Sequence, residues 1–411
     1  MTAFLSRSGD TEQSLADRPP LVEQGERRPI GFWPLLGVAV TATGGPLALA
    51  ALYAPTIVAD ASSSAGLAMV AAAVVFLVPL AIWLGYVKHV NSEGGLYAFV
   101  EAAVGRRVAL VQAGLWIFSY VLYLLYTTAT IVYDTLPAVS PSIKPAQPWL
   151  EIGIPVALAA VMLAGRAATL AVTGLLAIGQ LVLVGVLASV TIAHNSPGGS
   201  TFAADAPAGT LAIATAQTSL LYICASLPLF LGGEVVHPIS VTMRRGLITG
   251  YVLTAVGVVA AVAPLAADPA FTHDELPGVA VARVFSGHAL AITIGVGIAA
   301  SIAGVMLVEY LALSRLIHAV TSWRMRRVIG GLAIALVVTA PISLINPDEF
   351  YENLLKPSLV ALWLSQAMVF VAYPVFVRRR GGRQAPAWTL SVLATAFAIY
   401  GIWATLHHVS S

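Results

Sequence analysis

Residues 41–46 read Thr-Ala-Thr-Gly-Gly-Pro, in the middle of an apolar stretch that extends from residue 30 to residue 58. A helix that crosses a lipid bilayer needs about 20 apolar residues, so this stretch is long enough to span one. Glycine and proline inside such a helix leave backbone N–H and C=O groups unbonded, and lipid cannot bond them. An interrupted helix therefore survives only where protein or a water-filled cavity surrounds the break. The stretch predicts a membrane-spanning helix with a break near its middle.

A second apolar stretch, residues 210–236, is interrupted in a similar way. Residues 228–234 within it read Pro-Leu-Phe-Leu-Gly-Gly-Glu. Gly44 and Gly232 are 188 residues apart, and the same offset carries the start of the third apolar stretch, residue 108, into the eighth. The two breaks therefore predict a repeat of two five-helix units. The second unit enters the membrane from the opposite side, because five is an odd number.

Paired interruptions at corresponding places of an inverted repeat indicate the central site of a transporter. At such a site the N-terminal ends of half-helices attract anionic groups, and the carbonyl ends attract cations or ammonium groups. Small residues also let helices pack closely, so each glycine pair has a second, purely structural interpretation. Two breaks in register favour the transporter interpretation.

The composition places the whole chain in a membrane. Of 411 residues, 58% are hydrophobic and 10% are charged, whereas soluble domains carry about 25% charged residues. So few charged groups cannot cover a surface that faces water, and the outer surface is therefore expected to face lipid. The sequence predicts an all-α polytopic membrane protein with about eleven transmembrane helices, at residues 30–58, 66–87, 108–133, 152–163, 168–193, 210–236, 247–267, 288–318, 328–345, 354–377 and 387–407.

The basic residues predict the orientation. With the N-terminus in the cytoplasm, 18 of the 21 lysines and arginines fall on the cytoplasmic side, leaving Lys144, Arg283 and Lys356 outside. Positively charged loops resist translocation, so this bias sets the topology. We expect a multi-pass protein of the plasma membrane with a cytoplasmic polar tail, residues 1–29, and an extracellular C-terminus. The transporter domain then covers residues 30–407, with repeat 1 at 30–193, repeat 2 at 210–377 and one extra helix at 387–407.

One motif resembles a known family. Residues 91–100 read Asn-Ser-Glu-Gly-Gly-Leu-Tyr-Ala-Phe-Val, and Gly105 and a Gly-Leu-Trp sequence at 114–116 follow. The pattern is similar to the loop before helix 3 in the amino acid–polyamine–organocation (APC) superfamily of secondary transporters. Residues 230–238, Phe-Leu-Gly-Gly-Glu-Val-Val-His-Pro, and the Ser-Arg pair at 314–315 are further matches. The resemblance implies the LeuT-type fold: five plus five helices, alternating access, and a substrate site beside the breaks in helices 1 and 6.

The sequence departs from this family at two places. Residues 42–46, Ala-Thr-Gly-Gly-Pro, stand where the family usually has Gly-x-Gly-Ile-Phe, whose amides hold a substrate carboxylate. Gln180 stands where some proton-coupled members carry a lysine. Glutamine does not titrate, so coupling through a lysine is not expected here. The twelfth helix of the typical family is also absent from the predicted set.

Two acids lie inside predicted helices, where a buried charge costs about 2.5–3.5 kcal/mol. Glu234 follows the second break directly, and it is interpreted either as a gating or substrate-site group or as a brace between half-helices. Glu309 lies six residues before Arg315. It either binds a proton or cation at the central site or pairs with Arg315 near the helix end. A buried carboxyl that exchanges protons near neutral pH would couple transport to a proton gradient.

Aromatic residues of the third span are further candidates. Tyr120, Tyr123 and Tyr126 follow Trp116 at helical spacing. Such rings line a cavity, contact an ammonium group by cation–π attraction, or anchor a helix at the membrane interface. Phe230, just before the second glycine pair, is a candidate hydrophobic gate. The predicted substrate-binding residues are Ala42, Thr43, Gly44, Gly45, Tyr120, Phe230, Gly232, Gly233 and Glu309, and the predicted coupling or gating residues are Glu234, Glu309, Tyr123 and Gln180.

The sequence predicts a secondary active transporter for an amino acid or a related small amine, driven by protons or by exchange. The eight histidines and one cysteine show no metal-ligand spacing, and nucleotide-binding and nucleophile motifs are missing. We therefore expect no metal, no cofactor and no enzyme activity. The basic residues lie in short loops rather than on a nucleic-acid-binding face. The expected partners are a small-molecule substrate, protons and the lipid bilayer. A channel and a non-transporting sensor on the same scaffold are the alternatives.

Overall fold

The computed structural model describes residues 29–195, 202–266, 268–272 and 274–408. The predicted polar tail, residues 1–29, lies outside these residues except for Pro29. Within the described ranges, eleven helices are long and apolar enough to cross a membrane, which confirms the predicted fold class. We call them spans 1 to 11, in chain order: Phe32–Ile57, Ala65–Val87, Arg106–Val139, Pro141–Leu163, Arg166–His194, Ala208–Glu234, Ile239–Leu265, His288–Thr321, Met325–Leu344, Asn353–Arg379 and Gln384–His407.

Span 4 is longer than predicted. The sequence placed it at residues 152–163, but its α-helix begins at Gln147, after a 3-10 segment at Pro141–Ala146. Glu151 lies in the first turns of this helix, and its buried side chain accepts a hydrogen bond from Tyr133. A carboxyl group lowers the mean hydropathy of a segment, so the sequence prediction began the span after Glu151. Here hydrogen bonds offset the cost of burying it, and the helix continues through it.

Span 1 is interrupted where its glycines predict. Its first α-helix, Phe32–Ala42, ends before two residues in the left-handed region, Gly44 (φ 73°) and Gly45 (φ 67°). Residues with a Cβ rarely adopt this conformation, so glycine is what allows the chain to turn here. The helix restarts at Pro46, which suits the first helical position because that residue needs no N–H partner. Local sequence is sufficient to cause this break.

Span 6 is interrupted earlier than predicted. Its α-helix, Ala208–Leu220, ends in a turn at residues 221–222, and a 3-10 helix, Ile223–Glu234, follows. The prediction of a break at Gly232 and Gly233 was therefore wrong in position, by about ten residues. Both glycines lie inside the 3-10 helix with ordinary negative φ angles.

The glycine pair of span 6 serves close packing instead. A Cβ added to Gly232 would lie 3.0 Å from the carbonyl oxygen of Ser92, and one added to Gly233 would lie 3.0 Å from Glu93 Cγ. Small residues thus let the 91–100 motif approach span 6, which is the structural interpretation of such pairs. Residues 221–222 are leucine and tyrosine, which is why the sequence does not reveal the actual break.

The two five-span units correspond with a smaller offset than predicted. Spans 1 and 6 begin 176 residues apart, and spans 3 and 8 begin 182 residues apart, rather than 188. Each unit has a short helix before its third span, Leu96–Val104 in the first and Pro277–Ser286 in the second. Each short helix is followed by a glycine in the left-handed region, Gly105 (φ 97°) and Gly287 (φ 88°), from which the next span begins. The matching irregular points identify the repeat.

The 91–100 motif contributes to the first of these short helices. Tyr97 donates a hydrogen bond to Glu101 Oε1 (3.3 Å). Burial first, and then the Glu101 carboxylate, raise the pKa of Tyr97 to about 12, so its phenol keeps its proton at neutral pH. Gly95 (φ 51°) lies against span 6, because a Cβ there would be 2.6 Å from the ring of Phe230. The motif therefore docks onto the 3-10 part of span 6.

The interrupted helices lie in the middle of the bundle. Over an apolar stretch of 18 residues in each helix, the buried share of the residues is 89% in span 1, 67% in span 6 and 72% in span 8. In spans 4 and 9 it is 28%. Spans 4 and 9 thus form part of the surface that faces lipid. The breaks are enclosed by protein, as unbonded backbone groups require.

Candidate functional site

The two interruptions lie side by side. A Cβ added to Gly44 would lie 2.9 Å from the carbonyl oxygen of Leu221, at the break in span 6. A Cβ added to Gly45 would lie 2.6 Å from Ser301 Oγ, on span 8. The bare backbone of the glycines therefore lets spans 1, 6 and 8 meet at one point.

The turn in span 1 uses its own amides. The N–H of Gly44 donates to the carbonyl of Ala42 (2.7 Å), and the N–H of Gly45 donates to the carbonyl of Thr41 (3.2 Å). Thr43, which precedes Gly44, is buried. In this conformation the amides of Gly44 and Gly45 are bonded within span 1 rather than directed at a ligand.

Gln180 lies beside the second half of span 1. Ser301 Oγ accepts a hydrogen bond from the N–H of Ala48 (3.2 Å) and donates one to Gln180 Oε1 (2.7 Å). Gln180 Nε2 is buried and has no hydrogen-bond partner among the described residues. A buried polar group without charge therefore joins spans 1, 5 and 8 next to the break.

Glu309 is fully buried in span 8. Its Oε1 accepts a weak hydrogen bond from the thiol of Cys224 (3.8 Å), and the hydroxyl of Tyr120 donates to Cys224 Sγ (3.8 Å). Its Oε2 has no partner in the described part of the chain. Arg315, which the sequence offered as a partner, bonds Glu234 instead. Glu309 thus lies close to the break in span 6, and no basic side chain of the described residues pairs with it.

Aromatic rings fill the space on one side of Tyr120. Trp116 stacks on Tyr120 with ring centroids 3.9 Å apart, and its ring centroid lies 4.6 Å from that of Phe230. Tyr123 follows one turn along span 3, with its centroid 6.4 Å from that of Tyr120. Phe230 also lies against Gly95 of the 91–100 motif. These rings form a continuous aromatic layer from span 3 to the motif.

Glu234 ties the end of span 6 to two arginines. Its Oε2 accepts from Arg166 Nη1 (2.8 Å), and its Oε1 accepts from Arg315 Nη1 (2.5 Å). The N–H of Ile30 donates to the carbonyl of Glu234 (2.8 Å), and the N–H of Val236 donates to the carbonyl of Ile30 (2.9 Å). These bonds join the beginnings of spans 1 and 5 to the ends of spans 6 and 8. Glu234 therefore lies at the end of the bundle and not at the break.

The structure brings part of the predicted site together. Residues 42–45, Tyr120 and Glu309 lie around the meeting point of the breaks, whereas Gly232 and Gly233 do not. Gly232 is 11 residues beyond Leu221, and a 3-10 helix rises about 2.0 Å per residue, which places it roughly 20 Å further along span 6.

Two neighbours of the central residues were missed from the sequence. Cys224 contacts Glu309, and Ser301 contacts both Gln180 and the second half of span 1. Both are small side chains that also occur in ordinary helix packing, so a single sequence offers no signal that distinguishes them.

The arrangement of helices is similar to that of a solved transporter structure. That structure is a substrate-bound, outward-open state of a Na⁺-coupled sialic acid symporter, with a TM-score of 0.56 over 92% of this chain and 90% of that chain. The chain has a LeuT-type fold. Sequence identity between the two is 14%, so the similarity concerns the fold alone.

No family model and no curated protein matches this sequence. The LeuT-type fold is thus recognised from the arrangement of the helices and not from overall sequence similarity. In transporters of this fold, discontinuous helices near the middle of the bilayer hold substrate and coupling ion. Gly44 and Leu221 mark the corresponding interruptions here.

Proposed function

We propose that this protein is a secondary active transporter that moves a small molecule by alternating access. The observation that supports this most is the meeting of two interrupted helices, at Gly44 and Leu221, within a LeuT-type fold. The ends of interrupted helices bind substrates and ions in this fold. The solved structure that is similar to this one is itself a Na⁺-coupled symporter, which supports the same type of mechanism.

The proposed substrate is an amino acid or a related small amine, as in the APC superfamily that the 91–100 motif resembles. It would bind between residues 42–45, Tyr120 and Glu309. The carboxyl group of Glu309 would balance an ammonium group, and the face of Tyr120 would add cation–π attraction. The solved symporter named above is a sialic acid symporter, so it does not support an amine as the substrate. The support for an amine comes from the site of this chain and from the 91–100 motif.

Glu309 is the proposed coupling group. It is buried among Cys224, Tyr120 and the break in span 6, without a basic partner among the described residues. A bare carboxylate in such a place is costly, and either a proton or a cationic substrate removes that cost. The two ligands would therefore compete for Glu309. Competition of this kind produces exchange of protons for substrate.

Sodium coupling is the second candidate. Gln180 Oε1 and Ser301 Oγ are neutral oxygen atoms 2.7 Å apart beside the break in span 1, and hard cations prefer oxygen ligands. The similarity to a Na⁺-coupled symporter favours the same ion. A sodium ion would bind these oxygens without any change in the protonation of Glu309.

Transport by the purified protein in proteoliposomes distinguishes the candidates. Counterflow of labelled amino acids and amines identifies a substrate, and imposed proton or Na⁺ gradients identify the coupling ion. We expect Glu309→Gln to abolish proton-driven accumulation. Counterflow should need a higher substrate concentration, because glutamine cannot balance an ammonium group. Glu275→Gln, which removes an exposed carboxylate from a loop, is the matched control and should transport normally.

Four other results would contradict the proposal or its coupling step. Proton-driven accumulation that persists in Glu309→Gln would exclude Glu309 as the coupling group. Na⁺-driven uptake that is insensitive to pH and is lost in Gln180→Ala would favour the sodium candidate. Conductance without counterflow would indicate a channel, and the absence of both would indicate a sensor.

A further inference from the structure

A second buried carboxyl group lies far from the central site. Glu151 is 1% exposed, although span 4, which carries it, is one of the least buried helices of the bundle. Its side chain points between spans 3 and 9, where it contacts Tyr133 and Ser343. Neither residue belongs to the Glu309 cluster or to the Glu234 ion pairs. The proposed transport mechanism does not use Glu151.

Both carboxyl oxygens of Glu151 have hydroxyl partners. The hydroxyl of Tyr133 donates to Oε2 (3.2 Å), and Ser343 Oγ is hydrogen-bonded to Oε1. Ser343 Oγ also donates to the carbonyl of Ala340 (2.8 Å). No lysine, arginine or histidine in the described ranges pairs with this carboxyl group. The group is therefore surrounded by neutral hydroxyls in a part of the bundle that borders lipid.

Counting protons shows which form of the group fits these contacts. A serine or tyrosine hydroxyl has one proton to donate. Four contacts link these groups: Tyr133 to Glu151, Ser343 to Glu151, Ser343 to Ala340, and Tyr133 to Ser343 (3.3 Å). The two hydroxyls supply two protons. A protonated carboxyl group of Glu151 supplies a third, so the protonated form satisfies more of these contacts than the carboxylate does.

The backbone around Glu151 is irregular in two of the three spans that meet there. Tyr133 lies in a π-helical segment, Thr130–Thr135, and Ser343 lies in a 3-10 segment, Ala340–Leu344. Single π-helical turns inside α-helices occur frequently at functional sites. Here the π-helical segment and the 3-10 segment direct the hydroxyls of Tyr133 and Ser343 toward the same carboxyl group.

The charged groups on the neighbouring elements do not compensate a carboxylate at this position. Tyr133 is the ionisable residue bonded to Glu151. At the same end of the bundle are Asp134 next to it, Lys144 on an exposed turn, Arg283 in the short helix before span 8, Lys356 in the first turn of span 10, and His194 and His288 at the ends of spans 5 and 8. Among the described residues, none of these basic groups pairs with Glu151. The arginines of spans 3, 5, 8 and 9 lie at the opposite ends of those helices: Arg106, Arg107, Arg166, Arg315, Arg326 and Arg327.

We propose that Glu151, Tyr133 and Ser343 form a proton-binding site between spans 3, 4 and 9, and that Glu151 carries the proton. Loss of this proton places a bare carboxylate between three helices with no counter-charge. It also removes one of the three protons that the four contacts share. The site is separate from Glu309 and shares no hydrogen-bond partner with it.

Infrared spectroscopy of the purified full-length protein tests the proposal directly. A protonated carboxylic acid has a C=O stretching band that a carboxylate lacks. We expect Glu151 to contribute to this band at pH 7 in the wild type. Glu151→Gln should remove that contribution, whereas Glu309→Gln, which can remove only a contribution of Glu309, should leave it in place. Ser343→Ala and Tyr133→Phe keep the acid and remove one bond each, so they should shift the band. If Glu151→Gln does not fold, the band shift in Ser343→Ala and Tyr133→Phe tests the proposal instead.

Thermal unfolding at several pH values provides the second measurement. A folded state that holds a proton which the unfolded carboxylate releases becomes less stable as pH rises. The Tm of the wild type should therefore fall more steeply with pH than that of Glu151→Gln. An unchanged C=O band in Glu151→Gln would overturn the proposal, as would unshifted bands in both hydroxyl variants. A Tm increase on adding Na⁺ that disappears in Glu151→Gln would also overturn it, because the ligand would then be sodium.

Discussion

Spans 1 and 6 are interrupted at corresponding places of the two repeats, but by different physical means. In span 1 the chain turns at Gly44 and Gly45, whose φ angles of 73° and 67° are left-handed. In span 6 it turns at Leu221 (φ −62°, ψ −23°) and Tyr222 (φ −83°, ψ 0°), angles that any residue adopts. Local sequence therefore causes the first break, whereas the surroundings decide the second.

The surroundings of the second break are specific. The ring of Tyr222 packs against Phe76 of span 2, at 5.7 Å between centroids, and against Tyr251 of span 7, at 5.4 Å. Further along, Glu234 fixes the end of span 6 to Arg166 and Arg315. Tertiary contacts thus hold the two ends of the 3-10 helix. Substitutions at the two breaks should consequently act through different causes.

The largest effect is expected from Gly45→Ala in span 1. A left-handed conformation costs a residue with a Cβ of order 1–3 kcal/mol, and the added Cβ would also lie 2.6 Å from Ser301 Oγ and 3.1 Å from the Ser301 carbonyl oxygen. We expect little folded protein on size-exclusion chromatography, and a strongly reduced Tm in what remains.

Gly105→Ala is the matched control for this substitution. Gly105 also has a left-handed φ, of 97°, but a Cβ there would meet no atom within 4 Å. Gly105→Ala should therefore lose only the stability that the left-handed conformation costs, and none through a close contact. Equal Tm values for the two variants would show that the close approach of spans 1 and 8 does not constrain the break.

Glu234→Gln should have the next largest effect, at the end of span 6. The side chains of Arg315 and Glu234 are 5% and 13% exposed, and removing one partner of a buried ion pair costs about 3–5 kcal/mol. We expect a lower Tm. Cys224, the single cysteine and a buried residue of the 3-10 helix, should react faster with a maleimide.

Glu93→Gln is the control for the loss of Glu234. Glu93 is a half-buried carboxylate in the same region, next to Gly233, and it is outside both ion pairs. Its substitution should leave the reactivity of Cys224 unchanged. If Glu234→Gln also leaves that reactivity unchanged, the ion pairs do not hold the second half of span 6.

The two breaks also show how far this sequence allows prediction. The spans and the break at Gly44 follow from local signals: apolar length, glycine and proline. The break at residues 221–222 does not, because its residues have no unusual backbone preference. Gly232 and Gly233 gave a stronger local signal at a place where glycine is needed for packing against the 91–100 motif.

The partners of buried polar groups depend on tertiary structure in the same way. Glu234 and Glu309 stand out in the sequence because they are acids inside apolar helices. Arg166, which bonds Glu234, is 68 residues away, and Cys224, which bonds Glu309, is 85 residues away. Such distances along the chain carry no local pattern, so these contacts could be found only from the packed bundle.

Tyr222→Ala tests the aromatic support of the second break. Truncating a buried aromatic residue costs about 3 kcal/mol or more, and here the rings of Phe76 and Tyr251 would lose a shared neighbour. The Tm should fall. Tyr222→Phe should leave it unchanged or slightly raised, because the buried hydroxyl has no partner among the described residues. A large loss in Tyr222→Phe would reveal a hydrogen bond that this conformation does not contain.

Ser301→Ala is the last substitution of the series, at the restart of span 1. It leaves the N–H of Ala48 and Oε1 of Gln180 without a partner, and each unsatisfied buried group costs about 1–3 kcal/mol. Ser365→Ala is the control. Ser365 Oγ is likewise hydrogen-bonded to a buried glutamine, here as the acceptor from Gln112 Nε2 (2.9 Å), and this bond goes to span 3 rather than to span 1 or span 6.

A double substitution separates the two losses in Ser301→Ala. Replacing Gln180 with leucine as well removes the stranded glutamine but not the stranded amide of Ala48. If that amide anchors the second half of span 1, the double variant should recover part of the lost Tm and still unfold below the wild type. Full recovery would mean that the glycines and Pro46 hold the first break without help from span 8. The contrast with span 6 would then be complete, since one interruption would need no tertiary contact and the other would depend on it.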